Sequence, residues 1–163
     1  MATHLKNLSK TGIAASKEFK SLKVAIIVSE WNNDITYAMM NGAVDLLTSK
    51  GVKEKNIEVH KVPGAFELPL GAQLCASDKK IDAVITLGCV IQGETRHFEF
   101  ICNACAQGIL SVSLSYNTPV AFGVLTTENH RQAKERSGGK LGNKGIEAAE
   151  TVLKMFLLKK NRI

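Results

Sequence analysis

LKVAIIVS, residues 22–29, contains the unbroken apolar run VAIIV, four of whose five residues are β-branched. A strand with one wet face would alternate; a continuous run is buried on both faces, as strands of parallel sheets are. DAVITLGCVI (82–91) repeats the pattern. IEVHKV (57–62) and PVAFGVLTT (119–127) supply two further strands, the last opened by a proline, which a strand's first residue tolerates. Helical periodicity fills the intervals. After Asn32, Asn33 and Asp34, all good N-cap types, Ile35, Met39, Gly42, Ala43, Leu46 and Leu47 recur at helical spacing as far as Gly51. A second helix follows VPG through Leu68 to Cys75, and a third begins near Thr95 with Phe98, Ile101, Cys102, Cys105, Ile109 and Val112 as its stripe. A short helix over about 129–136 and a final one over about 143–159, carrying Ile146, Ala149, Leu153 and Phe156, close the chain.

The order β-α-β-α-β-α-β-α-α predicts right-handed crossovers and a four-stranded parallel sheet covered on both faces, a three-layer αβα sandwich. Residues 1–21 lack periodicity and read as an N-terminal arm, leaving 22–163 as a single α/β domain. In such sheets ligands gather beyond the carboxyl ends of the strands, so the loops after Ser29, Val62, Ile91 and Thr127 carry the chemistry.

Composition narrows the function classes. With 163 residues, 45% hydrophobic and 22% charged, the chain suits one globular domain and not a disordered, collagen-like or coiled-coil protein. No apolar run approaches the ~20 residues of a membrane helix, and the N-terminus lacks an export-type apolar segment, so a cytoplasmic protein with no membrane partner is expected. The four cysteines are then reduced thiols. The net charge of +6 gathers partly in a lysine-rich start and partly at Arg131, Lys134, Arg136, Lys140 and Lys144, without the broad stripe a nucleic acid would call for.

Within the loops, SEWNNDIT places the only tryptophan, Trp31, at a strand end, either closing the core or offering a platform for a planar ring. In VPGAFELP, Pro63 and Gly64 fix a turn ahead of Glu67, which serves the helix dipole or accepts hydrogen bonds from a ligand. In GCVIQGETRHFEF, Gly93, Glu94 and Thr95 stand where a helix N-terminus would bind an anion, with His97 beside them as a proton donor. Neither GxxxxGK[ST] nor GxGxxG occurs, so no nucleoside triphosphate or dinucleotide is indicated. The C-x-x-C of Cys102 and Cys105 falls inside a helix stripe and reads as core, and Cys89 has nothing to orient it as a nucleophile. NHRQAKERSGGKLGNKG adds Arg136 for bidentate phosphate contact, followed by glycines that suggest close backbone approach. A ring platform, two anion-binding elements, one histidine and no metal amount to a small-molecule condensation or elimination site.

Taken together, WNNDIT, VPGAFELP, LGCVIQGETRHFEF and PVAFGVLTTENHRQAKERSGGKLGNKG resemble the lumazine synthase family in order and spacing, from Leu22 to the C-terminus. The resemblance implies a flavodoxin-like sheet and the condensation of 5-amino-6-ribitylaminouracil with 3,4-dihydroxy-2-butanone 4-phosphate, without a cofactor. It implies that Trp31 stacks on the pyrimidine, that Ala65, Phe66 and Glu67 bind the pyrimidine and its ribityl chain, and that Cys89, Val90 and Ile91 continue this pocket. Glu94 and Thr95 match the phosphate-binding pair and His97 the proton donor, while Phe122, Arg136 and Lys144 match residues supplied by a neighbouring subunit. Trp31, Gln92 and Glu94 depart from the residues frequent there, which are Phe, Arg and a small residue. The family implies a homo-oligomer that is a pentamer, paired pentamers or a sixty-subunit icosahedral shell, the short GGKLGN turn leans towards the shell, and riboflavin synthase is the implied functional link. A flavin-binding or shell-forming relative without turnover is the alternative.

Overall fold

A computed structural model describes residues 7, 9 and 12–162. Four strands, β1 (Val24–Ser29), β2 (Ile57–Val62), β3 (Ala83–Ile91) and β4 (Val120–Thr127), form one parallel sheet in the order β2-β1-β3-β4. This is the flavodoxin-like order, the predicted three-layer sandwich. Every residue of β1 is buried, whereas β2, at the edge, has four exposed residues between two half-buried ends. The continuous run of residues 24–28 therefore marks the centre of the sheet, and the mixed IEVHKV its rim.

Alternation along β1 divides the core. Val24, Ile26 and Val28 face a layer made by α1 (Asn33–Ser49) and α5 (Lys144–Lys160), while Ala25 and Ile27 face α2 (Leu68–Ala76) and α3 (His97–Ser115). Leu22 and Phe19 join the first layer; Phe19 belongs to a 3-10 helix over Lys17–Lys20 capped by Ser16, so the last part of the segment read as an arm packs into the core. The rest of that segment lies partly outside the described residues. A second unforeseen feature is the small antiparallel pair β5 (Ser137–Gly139) and β6 (Gly142–Asn143), which joins α4 (His130–Arg136) to α5.

Asn143 ties this corner together. Its Oδ1 caps α5 by accepting from the Gly145 and Ile146 amides, and its Nδ2 donates to the Ala38 and Ser137 carbonyls. Gly145 lets α5 meet α1, since a Cβ there would overlap the Met39 carbonyl oxygen. The sequence had suggested close backbone approach at the glycines of this segment; at Gly145 the backbone that approaches is that of α1.

Helix α3 is long and apolar enough to cross a membrane by length and composition alone, at a mean hydropathy of 1.2. In the fold only Cys105, Ile109 and Val112 of its stripe are buried; Phe98, Ile101 and Cys102, nearer its N-terminus, are partly exposed.

Candidate active site

Strand order fixes where a site can form. The chain leaves β1 in one direction to reach β2, then crosses back to β3 on β1's other side, so the loops leaving β1 and β3 diverge and open a crevice. A cavity of about 920 Å³ lies there. It is lined by Trp31 and Asn32 after β1, residues 63–67 after β2, and Cys89, Val90, Ile91, Gly93, Thr95 and His97 at the end of β3 and the start of α3.

The loops are tied to one another. Glu30 and Trp31 donate their backbone N–H groups to the Val62 and Pro63 carbonyls at 2.8 and 3.1 Å. Asn32, read from sequence as an N-cap type, makes no side-chain cap; it takes the left-handed conformation, φ 57°, and sends Nδ2 to the Cys89 carbonyl at 3.0 Å. An asparagine tolerates that backbone, and its short amide can bridge the ends of β1 and β3. Sequence reasoning missed this role because the partner lies 57 positions away.

Trp31 is 77% exposed, so it does not close the core; its ring stands open on the cavity. Glu67 sits in the single 3-10 turn Ala65–Glu67 and accepts the Gly64 N–H through Oε2 at 3.0 Å. That is one half of a capping box, since Gly64 has no side chain to complete the other. At α3 the His97 N–H donates to Thr95 Oγ1 at 3.4 Å, and the His97 side chain is exposed at the cavity wall. The first turn of this 19-residue helix thus faces the same space, with backbone N–H groups that have no intrahelical acceptor.

Cys89 is buried at the cavity floor. Desolvation, and then the charge of Asp34, push its thiol up to about 12, which leaves it protonated and unfit as a nucleophile. Burial, with Cys102 nearby, does the same for Cys105. All four cysteines are free; of the C-x-x-C pair only Cys105 is in the core, as expected for both, while Cys102 is half-buried.

Four of the residues singled out from sequence do not line this cavity: Glu94, Phe122, Arg136 and Lys144. Phe122 is exposed on β4, the edge opposite β2. Arg136 and Lys144 flank β5 and β6, where both meet Glu147 on the first turn of α5: Lys144 Nζ lies 3.0 Å from Oε2 and Arg136 Nη2 3.6 Å from Oε1. Glu147 escaped the sequence reading; its Oε1 is buried and accepts no hydrogen bond. Among the described residues the cavity has no lysine or arginine in its lining, although it contains a helix N-terminus and a histidine. Nearby, Lys134 and then His130 hydrogen-bond Asp34 and hold its carboxyl below the ordinary range, linking α4 to the first turn of α1.

Residues 21–160 match the family described as 6,7-dimethyl-8-ribityllumazine synthase. Proteins of that name are similar over most of the chain: 60% identical over 131 residues in Cytophaga hutchinsonii, covering 80% of this chain and 82% of that one. The Porphyromonas gingivalis protein is 48% identical over 155 residues (95% and 96%), and that of Parabacteroides distasonis 45% over 155 residues (95% and 97%). With strand order, crevice and sequence in agreement, this chain belongs to the 6,7-dimethyl-8-ribityllumazine synthase family.

Proposed function

We propose that this chain condenses 5-amino-6-ribitylaminouracil with 3,4-dihydroxy-2-butanone 4-phosphate, giving 6,7-dimethyl-8-ribityllumazine, phosphate and water. The observation that carries the reading is the cavity at the strand ends, where an open tryptophan ring, a carboxylate, a helix N-terminus and a histidine face one space. In that space Trp31 stacks on the pyrimidine, residues 65–67 and 89–91 hold the ring and ribityl chain, and the Gly93 to Thr95 backbone receives the phosphate. The ring amine attacks the ketone and one water leaves as the Schiff base forms; phosphate then leaves, the enol tautomerises, and ring closure expels a second water. Each step moves a proton, which His97 can give and take, while holding the two reactants together supplies much of the acceleration. No step calls for a cofactor.

A phosphate calls for a cation, and among the described residues the lining holds none. We assign that role to Arg136 and Lys144 of a neighbouring copy, with Phe122 of the same neighbour covering the ring, so the chain works as a homo-oligomer. Phe66, Leu70, Leu74, Phe100, Leu110 and Leu114, exposed on the α2 and α3 side, support such an assembly. We read it as pentamers, extended to the icosahedral shell by the short GGKLGN turn. The four free thiols suit the reducing cytoplasm, and riboflavin synthase is the enzyme this product would feed.

Mixing the purified protein with both substrates tests the activity through the absorbance and fluorescence of the lumazine; absence of product would overturn it. Replacing His97 by Ala should slow turnover ~10²- to 10⁴-fold while leaving pyrimidine binding nearly intact, and an unchanged rate would remove His97 from its role. Sedimentation velocity tests the assembly, and a monomer would sink it.

A further inference from the structure

Helix α2 returns antiparallel to the strands it follows, so its last turn comes alongside the first half of β2, at the end of the sheet away from the cavity. Strand alternation places Glu58 and His60 on the side of β2 that faces α2, because Val62, two residues further on, packs in the α2 and α3 layer. Both are exposed, as edge-strand residues are. His60 Nε2 lies 3.0 Å from Glu58 Oε1, and Cys75, from the last turn of α2, brings its Sγ to the same place: the three potential ligand atoms lie within 4.8 Å of one another. Asp78 adds a second carboxylate close enough to act on Cys75. The neighbouring cation, Lys61, points to the opposite face, with Nζ 5.0 Å from the Tyr37 ring centroid.

We infer that Glu58, His60 and Cys75 form a binding site for a divalent transition metal of the zinc type, with three protein ligands and a fourth position open to water. Thiolate, imidazole and carboxylate together select zinc over the hard cations, which prefer oxygen alone. A tetrahedral ion with bonds of ~2.0–2.3 Å keeps its ligand atoms roughly 3.3–3.7 Å apart, which small side-chain adjustments reach from atoms that already lie within 4.8 Å of one another. Two ligands two apart on a strand and a third from a helix also fix the site from two elements, which chance surface neighbours on one loop would not do. On binding, the Cys75 proton passes to solvent and the metal–sulfur bond forms. The ion staples the last turn of α2 to the edge strand, the part of the sheet with least cover from the core. Neither cavity nor catalytic residue is involved, so the site stands apart from the proposed condensation.

The test uses the full chain, free of any affinity tag and stripped of metal by dialysis against a chelator. Titration with Co²⁺ should show one ion per chain with thiolate-to-cobalt charge-transfer absorption, displaced by Zn²⁺, and Zn²⁺ should raise the thermal midpoint. Cys75→Ser should abolish the charge-transfer band and, like His60→Ala, weaken zinc binding ~10-fold or more; Glu58→Gln should weaken it less. In the unaltered chain Zn²⁺ should slow alkylation of Cys75 as read by peptide mass, a measurement that needs no variant to fold. Lack of saturable binding, binding of equal strength in the Cys75→Ser and His60→Ala chains, or unprotected Cys75 would each overturn the site.

Discussion

The two helical layers of this sandwich are built to different standards. Among the described residues, α1, α5 and the segment around Phe19 contribute, against one face of the sheet, to a cluster of 22 buried apolar residues; against the other, α2 and α3 contribute to one of 11. The smaller cluster is not short of apolar side chains, because Phe100 and Leu114 are 70% and 74% exposed and Leu70, Leu74 and Leu110 stand outside it as well. On α5 the exposed pair, Met155 and Leu158, lies near the helix end, beside Leu114 at a hollow of about 420 Å³. One layer closes its core within the chain, and the other leaves apolar surface exposed. That division agrees with a cavity whose lining lacks a cation while Arg136 and Lys144 sit elsewhere on the chain.

The contrast breaks most severely at Gly145. Replacing it with Val should cost about 3 kcal/mol or more in urea unfolding, because the new side chain meets α1 backbone that cannot move without opening the larger cluster. Cavity-forming changes come next and sharpen the comparison. Leu153→Ala should cost about 3 to 5 kcal/mol, and Ile109→Ala nearer about 2, since fewer buried neighbours surround it. On the outer face of α3, Leu114→Asp should leave the chain's own unfolding within about 0.5 kcal/mol yet lower the sedimenting mass. If the mass stays the same, this face is not the one a neighbour covers.

The smallest effect should come from Asp34. Its folded pKa is lowered, first by the Lys134 hydrogen bond, so its contribution is present above the ordinary carboxylate value and is lost as pH falls through the folded one. Asp34→Asn should therefore lower stability slightly at neutral pH, the loss being small because the pairs are exposed, leave stability unchanged below the folded pKa, and so make the acid limb of the profile shallower.

Legibility followed the range of the interactions. The strands and helices were visible because burial repeats every residue, every second or every 3.6 residues, and β1, β3 and α5 appear within one or two positions of their patterns. Start signals were less secure: Asn143 caps α5 through its side chain as its type suggests, while Asn32, of the same type, reaches across to Cys89 instead. The two-residue β6 was invisible, as a pairing that short leaves no period. Trp31 could not be resolved locally, since a core plug and an open platform have the same neighbours in sequence.

The sequence by itself determined the parallel αβα order, the loops that line the cavity and, through four motifs in register, the family. Only the tertiary structure decided that Trp31 faces open space, that Gly145 serves helix contact, that Glu147 gathers Arg136 and Lys144 away from the cavity, and that Glu58 and His60 meet Cys75. Each of those outcomes depends on which side chains come together across elements, and distance along the chain does not encode distance in space once four strands have been reordered into one sheet.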